Sequence, residues 1–210
     1  MKFVNAPANH TIWIIDNFDS FTYNLVHLLE ELEQRVEVFR NNIITPQILQ
    51  TKQPKALLIG PGPGHPKDSG NCPALIDTCY KHNIPLLGIC LGHQAIAAYF
   101  GANITHAPQI MHGKNSLVYH PATHMFSNTP SPLSVTRYHS LIVDPSSLPQ
   151  ELTSLAHTKK GELMALSHKE KPIYGLQFHP ESIATSYGHQ LIKNFLQIIP
   201  KYAIPSCELV

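Results

Sequence analysis

The chain has 210 residues, 43% of them hydrophobic and 14% charged, which suits a soluble globular protein of one domain with a sizeable core. A formal net charge of +1 leaves no basic excess for nucleic-acid phosphates and no acidic tail. No apolar segment reaches the length of a membrane span, and the polar, Pro7-containing stretch 1–11 lacks the apolar core of a signal peptide.

Residues 1–11 are expected to form a loose extension ahead of a first buried strand, Ile12–Ile15. The polar turn Asp16–Ser20 follows, with Asp19 or Ser20 placed to cap a helix. Within Phe21–Glu33, Leu25, Leu28, Leu29 and Leu32 recur at i, i+3, i+4 and i+7, the spacing of one helix face. Val36–Phe39 is a second short strand. A strand–helix–strand opening is the signature of a parallel α/β sheet.

Ala56–Ile59 reads as the third strand and runs into Gly60-Pro-Gly-Pro-Gly64. Prolines stiffen this loop and glycines bare its amides. It lacks the Gly-Lys-Ser/Thr ending of a phosphate-binding loop. Cys72–His82 is predicted helical, with Leu75, Ile76 and Cys79 inward. The apolar run Leu86–Ile89 is a buried strand ending at Cys90, and Gln94–Phe100 is rich in helix formers.

Residues 101–145 change character. Short alternating runs at Ser116–Tyr119 and Leu133–Tyr138 suggest a small antiparallel part packed beside the main sheet. His112, His120 and His124 show no metal-ligand spacing. Strands are expected near Thr153–His157 and Leu163–Leu166. Another, within Ile173–Ser182, should deliver His179 to its end, where Pro180 stops it. The last helix spans about His189–Ile199, with Ile192, Phe195, Leu196 and Ile199 on one face. Residues 200–210, with two prolines and Cys207, read as a loose tail. Without repeats or a long linker, residues 12–199 form one domain of an open, mostly parallel α/β sheet flanked by helices, with a small antiparallel addition.

Gly88-Ile-Cys-Leu-Gly92 has the G-x-nucleophile-x-G form of a strand-to-helix elbow. Flanking glycines permit a turn too tight for a Cβ, and a helix N-terminus favours a thiolate. Most free cysteines are inert core residues, and Cys72 and Cys79 are read that way. None of the four cysteines is spaced C-x-x-C, so neither zinc nor a disulfide framework is expected. What sets Cys90 apart is His179-x-Glu181 downstream. A cysteine nucleophile needs a base, and the base needs a third group to hold its tautomer.

Three of these stretches, 60–64, 88–94 and 177–182, together with 15–25, 111–114 and 137–141, resemble class I glutamine amidotransferases. Within that family they are similar to the glutaminase components of anthranilate and aminodeoxychorismate synthases. The resemblance runs from about Ile12 to Ile199. It implies glutamine hydrolysis by Cys90, His179 and Glu181. It further implies an oxyanion hole from the Leu91 amide and one backbone N–H of the Gly62-Pro63-Gly64 loop. Gln94 would face the bound glutamine, and Ser140 and Leu141 would hold its α-amino and α-carboxylate end. No metal or organic cofactor is implied on this chain; magnesium belongs to the partner's chemistry. The implied partner is a chorismate-using synthase component, met through Met111-His-Gly-Lys114, in a reducing cytoplasm. Its product would be anthranilate for tryptophan, 4-amino-4-deoxychorismate for folate, or both.

Two other classes share parts of this pattern. A stand-alone cysteine hydrolase would not need Gln94, Ser140-Leu141 or a partner face. A non-catalytic regulatory subunit would have lost a member of the triad, and all three are present. Departures from the family pattern, such as Ser167-His168 and Asn71-Cys72, touch none of the three.

Overall fold

The computed structural model describes residues 10–199, so the expectations for residues 1–9 and 200–210, Cys207 included, lie outside it. Among the described residues, no helix is long and apolar enough to cross a membrane.

The chain opens β1 (Thr11–Asp16), α1 (Thr22–Glu31), β2 (Arg35–Arg40), α2 (Pro46–Lys52), β3 (Ala56–Ile59), α3 (Cys72–His82), β4 (Leu86–Ile89) and α4 (Leu91–Tyr99). Shorter strands follow: β5 (Ile104–His106), β6 (Lys114–Tyr119), β7 (Leu133–Arg137) and β8 (Leu141–Val143). It closes with β9 (Leu152–Thr158), β10 (Leu163–His168), β11 (Ile173–Leu176) and α5 (Gly188–Ile198). One nine-stranded sheet has the order β2-β1-β3-β4-β11-β10-β9-β6-β7. The first five strands in that order are parallel to their neighbours. The rest are antiparallel.

The α/β class is as the sequence implied, but the antiparallel strands are placed differently. β6 and β7, expected beside the main sheet, instead continue it edge to edge beyond β10 and β9. Such joins are made by backbone pairing, as between Val118 and Thr158, which side-chain alternation does not encode. A separate two-stranded ladder pairs β5 with β8, setting His106 opposite Leu141.

Both faces of the parallel half are covered, which is why its strands read as unbroken apolar runs. Along β1, Ile12 and Ile14 join a core with α1 and α5, through Leu25, Leu29, Leu191 and Phe195. Trp13 and Ile15 join the opposite core with α3 and α4, through Leu75, Ile76 and Ile96. In α1, Leu25, Leu28 and Leu29 are buried as predicted.

Three local expectations are corrected. β1 begins at Thr11, inside the stretch expected to be loose. The N-cap of α1 is Phe21, with no side-chain cap; Asp19, two residues earlier, instead accepts the Phe21 amide at 2.8 Å in a turn ahead of the helix. α2 has no counterpart among the expected elements, because only Leu49 of its seven residues is buried and no apolar stripe marks it. It relies on Thr45, whose hydroxyl accepts from the Ile48 amide, and on Pro46 in its first turn.

Candidate active site

Three adjacent parallel strands, β3, β4 and β11, end on one edge of the sheet. Their ends carry the 60–64 loop, Cys90, and the 177–181 segment respectively. Ligands of open parallel sheets collect at this carboxyl edge.

Cys90 stands between β4 and α4 with φ 53° and ψ −100°, a backbone region that non-glycine residues enter only when the surroundings force them. The cause is the closeness of α4 to the sheet. A Cβ on Gly92 would lie 2.2 Å from the Ile59 carbonyl oxygen, and one on Gly88 would lie 2.4 Å from the Gly92 backbone. The Cys90 amide is used in the sheet, donating to the Leu176 carbonyl at 2.8 Å. Leu91 is the first residue of α4, so its amide is among those a helix cannot satisfy internally.

The loop after β3 is held from below. Asn17 Nδ2 donates to the Gly60 carbonyl at 2.9 Å, and Asn17 Oδ1 accepts from Asn41 Nδ2 at 3.0 Å and Cys72 Sγ at 3.4 Å. Gly62 is wedged in place: a Cβ there would sit 2.5 Å from Asn17 Cβ and 2.8 Å from Leu91 Cδ2. Gly62 and Leu91 are therefore brought together. Pro63 and Gly64 are exposed, and a Cβ on Gly64 would meet nothing within 4 Å.

β11 stops at Leu176, three residues short of His179. His179 is held instead by its own amide, which donates to Thr136 at 3.1 Å, and by its carbonyl, which accepts the Thr185 hydroxyl at 2.6 Å. Its Nδ1 lies 2.6 Å from Glu181 Oε1, and both side chains are buried. The ring is flanked edge-on by Phe21 and Tyr138, with centroids at 5.6 and 5.1 Å. His179 Nε2 is buried and has no full hydrogen-bond partner among the described residues; the Cys90 sulfur is close enough to act on the ring. Burial would depress the pKa of His179, but hydrogen bonding and charge from Cys90 and Glu181 outweigh it and raise it to about 10. An imidazolium beside a sulfur is the ground state of a cysteine–histidine nucleophile.

Gln94 is buried, not on the helix surface. Its Nε2 donates to the Leu141 carbonyl at 2.9 Å and to Gln177 Oε1 at 3.1 Å. Gln177 Nε2 in turn points at Cys90 Sγ, 3.8 Å away. Sequence reasoning missed Gln177, although it lies two residues before His179, on the same side of an extended chain. Leu141 is half-buried and Ser140 exposed; the Ser140 carbonyl accepts the Ala107 amide at 2.8 Å.

In Met111-His-Gly-Lys114 the last three residues are exposed and the first anchors the stretch. Met111 is buried, its amide donates to the His139 carbonyl at 3.0 Å, and His112 stacks edge-on to Tyr138 at 5.7 Å. Cys72 and Cys79 are both buried. Burial raises the Cys72 thiol to about 11, and that of Cys79 is also pushed up by burial. Among the described residues, no three His, Cys, Asp or Glu side chains group as a metal ion would require.

The fold and this cysteine elbow define a glutamine amidotransferase. Residues 13–199 match the model of the family described as glutamine amidotransferase class-I, and the chain belongs to that family. It is 47% identical to anthranilate synthase component 2 of Azospirillum brasilense, over 87% of this chain and 93% of that one. It is 46% identical to the aminodeoxychorismate/anthranilate synthase component 2 of Bacillus subtilis, over 92% and 99%. Among solved structures, a GMP synthase subunit from Thermoplasma acidophilum is similar with a TM-score of 0.81 and 28% identity, covering 91% of this chain and 94% of that one.

Proposed function

We propose that this chain is the glutaminase component of an anthranilate synthase, working in the cytoplasm and passing ammonia to a chorismate-using partner. The observation that carries the chemistry is the strained Cys90 elbow beside the buried His179–Glu181 pair. The names and coverage of the relatives support the pathway.

The Cys90 thiolate attacks the side-chain carboxamide carbon of glutamine. The Leu91 amide and an amide of the 62–64 loop hold the oxyanion, each such donor being worth roughly 2.7–4 kcal/mol. His179 gives its Nε2 proton to the departing nitrogen, and ammonia leaves a γ-glutamyl thioester. His179 then takes a proton from water. The resulting hydroxide cleaves the thioester to glutamate and restores the thiolate–imidazolium pair. Glu181 holds His179 in register and favours its cation. Gln94 lines the glutamine site, Ser140 and Leu141 hold the amino-acid end of the substrate, and no metal or cofactor is required on this chain.

Ammonia released into water is protonated and lost, so the product must be consumed by an adjoining subunit. A second reading has the same chemistry serving 4-amino-4-deoxychorismate synthesis. It is favoured by the Bacillus subtilis relative, which carries both names.

The test is a product assay. The purified chain is mixed with chorismate, glutamine and magnesium, adding in turn each chorismate-using component of the same organism. Anthranilate is expected with one component. Aminodeoxychorismate alone would move the chain to the folate route, and both products would make it shared. Free hydrolysis of glutamine or peptides with no amino product from any component would replace the partner-bound function by a stand-alone hydrolase.

A further inference from the structure

Away from the triad, one ion pair among the described residues has both side chains buried. Arg137, at the end of β7, reaches across β6 to Glu162 in the turn joining β9 to β10. Its two terminal nitrogens donate to the two carboxylate oxygens at 3.1 and 2.6 Å, and the side chains are only 4% and 10% exposed. The carboxylate is anchored from behind: Thr158 Oγ1 donates to Glu162 Oε2 at 3.0 Å and accepts the Glu162 amide at 3.2 Å. Ser116 Oγ accepts from Arg137 at 3.2 Å. The pair borders a cavity of about 320 Å³ lined also by Met111, Lys159 and Lys160. A buried bidentate pair is expensive to form, so its retention invites the question of what it orients.

The answer lies in the remaining nitrogen. Arg137 Nε donates to His139 Nε2 at 3.0 Å, so His139 Nε2 is the acceptor and the ring is neutral. Burial first, then the Arg137 charge, hold its pKa down to about 4. His139 leads directly into Ser140 and Leu141, and the Leu141 carbonyl accepts Gln94, which bonds Gln177, which points at Cys90 Sγ. A continuous path of oriented groups thus joins the β9–β10 turn to the nucleophile.

We propose that Glu162, acting through Arg137 and His139, is a positioning residue that sets the Ser140–Leu141 segment for glutamine. This rests on that segment holding the amino-acid end of glutamine, as proposed above. Glu162 touches no reacting atom; it fixes the guanidinium plane, and the guanidinium fixes the imidazole at the start of the segment. A purely structural ion pair would change how much protein folds, whereas a positioning pair changes how well the folded protein holds glutamine.

The experiment is saturable alkylation of Cys90 by 6-diazo-5-oxonorleucine, a reactive glutamine analogue, in the full chain and in Glu162→Gln. In the variant the concentration for half-maximal rate should rise roughly tenfold, as expected for loss of one charge-assisted hydrogen bond, with the maximal rate within about twofold. An unchanged half-saturating concentration, with either fewer reactive molecules or a lower maximal rate, would overturn the proposal. If Glu162→Gln does not fold, Arg137→Lys carries the same test, since lysine keeps the charge but has no Nε–H for His139. Wild-type protein that shows no saturable labelling of Cys90 would instead refute the glutamine-site assignment itself.

Discussion

His179 Nδ1 and Glu181 Oε1 meet at 2.6 Å inside the protein, with Pro180 between them and both side chains buried. Two residues of separation in an extended chain would ordinarily place side chains side by side. Here the turn held by Ser182 N to His179 O folds the carboxylate back onto the ring. The imidazole is thereby fixed with Nδ1 committed and Nε2 free for the sulfur.

Replacing Glu181 by Gln should therefore weaken glutamine hydrolysis less than replacing His179 by Ala, whose removal should lose roughly 10²–10⁴-fold or more. Steady-state rates with the partner present check this; equal or greater damage from Glu181→Gln would contradict these roles.

The same pair sets a pH dependence. The pKa of His179 is raised from its ordinary value of 6.5 to about 10. A raised histidine contributes stability that is complete below its unfolded pKa, near 6.5, and is lost as pH rises through about 10. Urea unfolding of the wild type should thus lose stability between those values. Glu181→Gln, lacking the carboxylate, should have lost most of that contribution by a lower pH. Its alkaline limb in Cys90 alkylation should shift the same way. Superimposable profiles for the two proteins would show that the carboxylate does not govern His179.

The glutamine analogue should modify Cys90 ahead of Cys72 and Cys79. Burial raises the Cys72 thiol to about 11, and Cys79 is wholly buried, so neither offers an accessible thiolate near neutral pH. Peptide mapping after labelling reads this directly, and Cys90→Ala should abolish both labelling and glutamine-dependent synthesis. Ammonia-dependent synthesis by the partner should survive; its loss together with the glutamine activity would make Cys90 structural.

Two glycine substitutions should differ sharply. In Gly92→Ala the new Cβ would lie 2.2 Å from the Ile59 carbonyl oxygen, a backbone atom that cannot rotate aside. A loss of about 3 kcal/mol or more is expected, at the severe end for overpacking. In Gly64→Ala the space is open but φ is +81°, so only the left-handed backbone strain applies, roughly 1–2 kcal/mol. Urea denaturation of both variants, compared at equal slope, measures the contrast.

The parallel half of the fold was written in local chemistry. Ala56–Ile59, Leu86–Ile89 and Cys72–His82 are observed with the bounds their apolar runs and flanking Gly, Pro and polar residues suggested. The elbow was equally legible, because glycines at 88 and 92 are demanded by contacts within a few residues of Cys90 and by one neighbouring strand. Cys90, His179 and Glu181 could be singled out as candidates for the same reason, each standing in a short motif whose residue types suit a cysteine nucleophile and its base, whereas Gln94 was singled out only through the family resemblance. The edge-to-edge continuation of the sheet through β9, β6 and β7 could not be read, since backbone pairing partners leave little trace in side-chain pattern. Nor could the link from Glu162 through Arg137 to His139, or that from Gln94 through Gln177 to Cys90. These join polar groups up to 87 residues apart, and their bonds exist only once burial removes water as the competing partner.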